Sequence, residues 1–415
     1  MQKKLATTAP QGTVTAEGGE VARRPWRRWR RRLVAGAVAV LVVSLALYGW
    51  AWSSVDRSTI ARAVLWGEAD VGDQDRFPDR QIRAGADASP LPAGGEIELP
   101  AASGGSAGGA GLESLLGKTG TRAFLVVHQD RLVYQRYLDG SDRQTRQTSF
   151  SVAKSFVSML VGIAIDQGLI GGVEDPVTDY LPELAARDPR FERITLRHLL
   201  TMSSGIRYWE TDLPWPWSDD TTTYYGVDLR DLARNGTRIE RPPGQQWQYN
   251  NYHPLLLGMV LERATGMSVS DYLATRLWQP LGAEADATWN LDSERSGFEK
   301  MESGLNATPV DYARFGQLLL HNGEWNGTRI VSKAWVRAAT AVDTDTDPAD
   351  FYQYFWWVDV ERPGRFYALG NYGQYLYVAP DADAVIVRFG RDWGVDNHSW
   401  LATFRGIADQ LAPRP

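Results

Sequence analysis

The 415-residue chain is long enough for one large domain or two ordinary ones, and 43% hydrophobic content with 11% aromatics can fill a core. The formal charge of −6 hides an asymmetry: residues 1–32 hold nine Lys or Arg against Glu17 and Glu20, leaving 35 basic and 48 acidic side chains downstream, a balance of −13. An acidic body repels phosphate backbones, which argues against a nucleic-acid partner. The absence of cysteine excludes disulfides, thiolate metal sites and a Cys nucleophile. The five histidines (His128, His198, His253, His321, His398) show no ligand spacing, so neither a metal nor another cofactor is expected.

Residues 1–32 read as a basic cytoplasmic segment. Behind Arg27-Arg28-Trp29-Arg30-Arg31-Arg32, residues 33–52 carry no charge, and about twenty residues at about 1.5 Å rise span about 30 Å of hydrocarbon. Trp26 and Trp29 before this stretch, and Tyr48, Trp50 and Trp52 at its end, fit the two interfacial belts. The expected result is a single-pass anchor in the lipid bilayer, with the rest of the chain on the outer (periplasmic or extracellular) side. A cleaved signal peptide is the competing reading, but its apolar stretch is shorter and ends in small residues.

Residues 53–111 read as a partly ordered segment, with Ile60, Ala63, Val64 and Leu65 at helical spacing, followed from Ala84 by an Ala-, Gly-, Ser- and Pro-rich flexible linker. Gly104-Gly105-Ser106-Ala107-Gly108 satisfies GxSxG on paper but lacks the strand and helix that a nucleophile elbow needs. Residues 112–415 form the remaining domain. Residues 123–137 predict two strands turned at Gln129-Asp130, a hairpin at a sheet edge. Helices are expected at 151–167, 196–202, 255–264, 269–277 and 309–321. Strands are expected at 354–360, 365–369, 375–379 and 384–389, with a closing helix over 400–411. The fold class is α+β: an antiparallel sheet from both ends of the domain, flanked by helices, with a helical subdomain inserted between.

Three elements carry chemistry. Ser151-Val152-Ala153-Lys154 opens a helix whose stripe is Phe156, Met159, Leu160, Ile163 and Ala164, so serine and lysine share one side of it. Lys154 is one of only six lysines beside 38 arginines. An ordinary lysine, with a pKa of about 10.4, is neutral in only about one molecule in 2,500 at pH 7, but desolvation lowers that pKa by units and equips the amine to take the Ser151 proton. The competing reading is a surface lysine lying along its helix. In the first turn, Ser151 also sits where free backbone NH groups favour an oxyanion. Gln248-Tyr249-Asn250-Asn251, 98 residues after Ser151 at its tyrosine, offers a phenol for proton transfer and an amide for orientation; otherwise it is a loop that Asn251 ends as a helix cap. Gly370-Asn371-Tyr372-Gly373-Gln374 precedes a strand and allows close backbone approach, or is an ordinary hairpin turn.

In this order the elements resemble the serine hydrolases related to class C β-lactamases and penicillin-binding proteins, closest to the 6-aminohexanoate-dimer (nylon-oligomer) hydrolase branch. Supporting texture includes Ser149-Phe-Ser-Val-Ala-Lys-Ser-Phe156, Leu199-Leu-Thr-Met-Ser-Ser-Gly205 and Asp311-Tyr-Ala-Arg-Phe-Gly316. The resemblance implies Ser151 as acylated nucleophile, Lys154 as proton acceptor, Tyr249 as shared acid/base and Asn251 as orienting amide. It further implies an oxyanion hole from the Ser151 and Asn371 NH groups, and Tyr208 on a loop that closes over substrate. Two departures stand out. Ala368-Leu369-Gly370 replaces the Lys-Thr-Gly of β-lactamases, so a β-lactam carboxylate loses its cation. Ser218-Asp219-Asp220 mimics Ser-Asp-Asn but reads as solvated loop. Trp215, Trp217, Trp356, Trp357 and Trp393 are expected around the cleft. The implied activity is hydrolysis of a small ester or amide; the rival reading is an anchored sensor of cell-wall peptide or β-lactam that is acylated without turnover.

Overall fold

The computed structural model describes residues 26–86, 88, 90–100, 111–211, 216–344 and 347–413. The chain divides into two compact units, Met1–Trp50 and Ala51–Pro415. Helix α1 (Trp26–Ser54) contains the predicted span and is long and apolar enough to cross a membrane, with a mean hydropathy of 2.2 over its best window. The GxSxG stretch at residues 104–108 lies outside the described residues.

Folding of the second unit begins earlier than the sequence suggests. Helix α2 (Thr59–Trp66) is capped by the Ser58 hydroxyl, which accepts from Ala61 N. Strand β1 (Asp79–Ile82) then forms the edge of a four-stranded antiparallel sheet, in the order β1-β5-β6-β4, with β4 at Gln147–Thr148, β5 at Ala287–Asn290 and β6 at Leu305–Ala307. The described part of the expected flexible linker is also tied down. Leu91 is buried, Leu132 N donates to Pro92 O at 2.8 Å, Gly94 N donates to Leu132 O at 2.8 Å, and Ile97 N donates to Val133 O at 3.1 Å. This stretch covers the open backbone of an edge strand, a physical demand that small-residue composition does not reveal.

The second, seven-stranded antiparallel sheet places β3 (Arg131–Tyr137) at one edge. It runs through β2 (Thr121–His128), β13 (Ala384–Gly390), β12 (Gln374–Ala379), β11 (Phe366–Gly370) and β10 (Trp356–Val358) to β9 (Tyr352–Gln353). The hairpin turns where expected, with Gln129 and Asp130 at φ of 50° and 57°, the paired positive values of a tight two-residue turn. Strand β2 is apolar on both sides because both sheet faces are covered. Ala123, Leu125 and Val127 join a core with helix α4 (Val152–Asp166) and the helix Pro309–Leu320, whereas Phe124 and Val126 pack with helix α3 (Leu112–Lys118) and the helix Asn397–Leu411. A short hairpin of β7 (Glu324–Trp325) and β8 (Thr328–Arg329) stands apart from both sheets. The predicted helices are present at Leu196–Leu200, Tyr252–Thr265, Val269–Leu273 and Pro309–Leu320.

Candidate active site

The turn before α4 is held in place by the four-stranded sheet. Ser149 N donates to Leu305 O at 2.8 Å, beside the β4–β6 pairing. Phe150 adopts φ of 41°, a conformation that costs free energy in a side-chain-bearing residue and that aims Ser151 out of the turn. On the other side lies the end of β11. A Cβ on Gly370 would stand 3.1 Å from Ser151 N and closer still to Ser149 O, so glycine permits the strand end to meet the nucleophile turn.

Lys154 is 1% exposed, and its Nζ donates to Ser151 Oγ at 3.0 Å and to the Glu302 carbonyl at 2.9 Å. Burial lowers its pKa to about 7, against the opposing pull of Glu302 and Glu210. The Tyr249 ring lies 4.8 Å from the same Nζ, and its phenol shares a hydrogen bond with Ser151. Burial raises the Tyr249 pKa, so the phenol stays protonated over the ordinary pH range. Stacking on Trp357, with ring centroids 6.3 Å apart, and an edge contact with Tyr352 fix the ring.

Beside Ser151 opens a pocket of about 210 Å³, lined also by Glu68, Glu210, Asp220, Tyr249, Asn251 and Asn371. No Lys or Arg is among the described residues of its wall. Asn251 stands at the start of the helix Tyr252–Thr265 but does not cap it with its side chain; Asn250 does, accepting from Tyr252 N at 2.9 Å. The Asn251 amide instead donates to Tyr208 OH at 2.7 Å, and its Oδ1 is buried without a partner among the described residues. Tyr208 is 6% exposed and held between Asn251 and Thr223, behind the wall rather than over the mouth.

The structure corrects other expectations. Ser218-Asp219-Asp220 is not solvated loop: buried Ser218 starts the helix Asp219–Tyr225, Asp219 accepts from Tyr252 OH at 2.8 Å, and Asp220 lines the pocket. Trp356 is core, packed on Phe315 and Phe366, while Trp393 lies against Tyr375. Trp357 backs Tyr249, Trp217 is exposed, and Trp215 lies outside the described residues. The pocket wall is instead tyrosine, from Tyr224, Tyr225, Tyr249 and Tyr372. Sequence reasoning also missed the stretch Gly67–Ala69, which lines the pocket and accepts bonds from Tyr225 OH, at 2.8 Å to Gly67 O, and from Tyr372 OH to Ala69 O. His253 is a core histidine, bonded to Ser204 Oγ at 2.6 Å and driven by burial to a pKa of about 3.

A serine, a neutralisable lysine and a phenol around one small pocket are the equipment of acyl transfer. Comparison with known proteins places that equipment in a lineage, because the Beta-lactamase family model matches residues 112–398. The chain belongs to the beta-lactamase family. It is 31% identical over 315 residues to the 6-aminohexanoate-dimer hydrolase of Paenarthrobacter ureafaciens, covering 71% of this chain and 79% of that protein. With Esterase EstB of Burkholderia gladioli it shares 32% identity over 188 residues, 41% of this chain and 47% of the esterase. Among solved structures, a provisionally named 6-aminohexanoate-dimer hydrolase from Bacillus anthracis superposes with a TM-score of 0.74 at 26% identity, over 87% of this chain and 97% of that one. A class C beta-lactamase superposes with a TM-score of 0.56 at 16% identity over 73% of this chain, a likeness of fold alone. The chain is a serine hydrolase of this family, with its beta-lactamase/transpeptidase-like fold.

Proposed function

We propose that the protein hydrolyses a small ester or amide through a covalent acyl-Ser151 intermediate. The observation that carries this reading is the buried Lys154 amine, 3.0 Å from Ser151 Oγ and lowered to a pKa of about 7, where half of it is the free base at neutral pH. Neutral Lys154 takes the hydroxyl proton as Oγ attacks the carbonyl carbon, and the NH groups of Ser151 and Asn371 hold the oxyanion. Tyr249 passes a proton to the departing alcohol or amine as its bond to the acyl carbon breaks. Water then attacks the acyl group, gives a proton back through Tyr249 and Lys154, and releases the acid and free Ser151.

Substrate class follows from charge. Glu68, Glu210 and Asp220 face a pocket without a cation in its described wall, so neutral or amine-bearing substrates are favoured over anionic ones, and β-lactams with their carboxylate are poor candidates. The apolar α1 behind an arginine cluster supports a single-pass anchor, with the N-terminus cytoplasmic and the catalytic unit outside.

Hydrolysis of p-nitrophenyl acetate and butyrate by the full chain in detergent tests the proposal. Turnover that disappears in both Ser151→Ala and Lys154→Ala is expected. A single stoichiometric burst would favour an acylated sensor, and unchanged turnover in Ser151→Ala would remove Ser151 from the mechanism.

A further inference from the structure

Behind Lys154 stands a second lysine that the acyl-transfer scheme does not use. Lys300 is 1% exposed, and its Nζ is 2.9 Å from Glu302 Oε1. The amine is caged by the Phe77 and Tyr224 rings, each centroid 4.4 Å away, and donates to Tyr224 O. Glu302 is 2% exposed; Oε1 also accepts from Ser303 Oγ at 2.8 Å, and Oε2 has no partner among the described residues. Through its backbone carbonyl the same residue accepts from Lys154. Glu302 therefore touches both buried lysines, Lys300 through its carboxylate and Lys154 through its backbone carbonyl, and of the two only Lys154 reaches the nucleophile. Breaking a buried ion pair leaves an uncompensated charge, so such a pair holds its geometry tightly.

We propose that Glu302 and Lys300 are positioning residues for Lys154: Glu302 holds the amine by its carbonyl and faces it with a fixed negative charge, and Lys300 anchors that charge in place. The inference rests on Lys154 being the proton acceptor proposed above. Because Phe77 and Tyr224 form the Lys300 cage, and Tyr224 OH donates to Asp73 at 3.0 Å, the anchor ties the site to the segment that follows α1. The other titratable groups facing Lys154 are Glu210 from the loop before the helix Asp219–Tyr225, Tyr249 from the loop before Tyr252–Thr265, and His253 from that helix. Glu210 acts in the same direction as Glu302, whereas His253, held neutral by burial, adds no charge.

A pH titration of the full-length protein in detergent micelles, with lysine labelled by 13C at Cε, reads the amine directly. The chain has six lysines, so the Lys154→Met spectrum identifies the relevant resonance. Glu302→Gln keeps the carbonyl and the side-chain shape but removes the charge, and should lower the Lys154 midpoint by about one pH unit. Lys300→Met leaves the Glu302 charge unshared and should raise the midpoint, and the double variant should return near the parent value. A mere packing role moves neither midpoint in opposite senses. An unmoved midpoint in Glu302→Gln, or shifts of the same sign in both single variants, overturns the proposal; should Lys300→Met fail to fold, the Glu302→Gln shift decides alone. Because the titration does not depend on turnover, a failure of the hydrolase reading in the Ser151→Ala and Lys154→Ala assays stays distinguishable from a failure of this proposal.

Discussion

Replacing Gly370 with alanine probes the packing that brings β11 to the nucleophile. The added Cβ would stand 3.1 Å from Ser151 N and from Phe150 Cβ, and nearer to Ser149 O, whereas relaxed contacts fall at about 3.5–4.0 Å. Two of these three neighbours are backbone atoms of the turn that Ser149 N ties to Leu305 O, so the end of β11, with Asn371, must withdraw by about 0.5–1 Å. A displacement of that size at a reacting centre costs about 10²-fold in rate. The assay is kcat/KM on p-nitrophenyl acetate beside a thermal melt, with Gly316→Ala as control. There the new Cβ meets the side chains of Val385 and Leu376, neither of which lines the pocket, at 2.6 and 2.9 Å. Both variants should lose about 1–3 kcal/mol of stability, but only Gly370→Ala should lose most of its activity. A Gly370→Ala enzyme with parental kcat/KM would refute the placement of β11 against Ser151.

The pH dependence follows from Lys154: kcat/KM should fall about tenfold per unit below about pH 7, as the amine protonates, and should plateau above it. Stability responds in a different pH window. The folded pKa of about 7 lies below the ordinary value of 10.5, so between these values the unfolded chain binds more protons and stability rises with pH. Lys154→Met should therefore abolish activity yet melt no lower than the parent at pH 8, its relative advantage shrinking towards pH 10; a much lower melting temperature would contradict the buried, strained amine. Tyr249→Phe keeps the stacking on Trp357 but removes the phenol, and should lower kcat by about 10²–10⁴-fold with little change in melting temperature. A chain starting at residue 112 loses β1 from β5 and buried Ile82, and should aggregate, whereas one starting at residue 51 should give a single cooperative melt.

Legibility in the sequence followed the reach of each signal. The hairpin at Gln129-Asp130, α4 and the closing helix were readable because periodicity and turn residues are local. The Ser151–Lys154 pair was readable because three residues on a helix fix their own geometry. What was lost depends on distant partners. The four-stranded sheet joins residues 79–82, 147–148, 287–290 and 305–307, too short and too scattered for a periodic signal. Composition suggested free linker where Pro92, Gly94 and Ile97 cover the β3 edge, since backbone bonding leaves little mark on side-chain choice. Lys300 and Glu302 carry no motif or periodic signal of their own, although two of only four lysines after the apolar segment are buried.

The most direct test of the account is covalent: intact-mass analysis of the full chain after exposure to a fluorophosphonate, with peptide mapping of the adduct. One equivalent of label on Ser151, formed several hundredfold more slowly in Lys154→Met, is the predicted result. Label on any other serine, or labelling of Ser151 at the parental rate without Lys154, would contradict the Ser151–Lys154 mechanism.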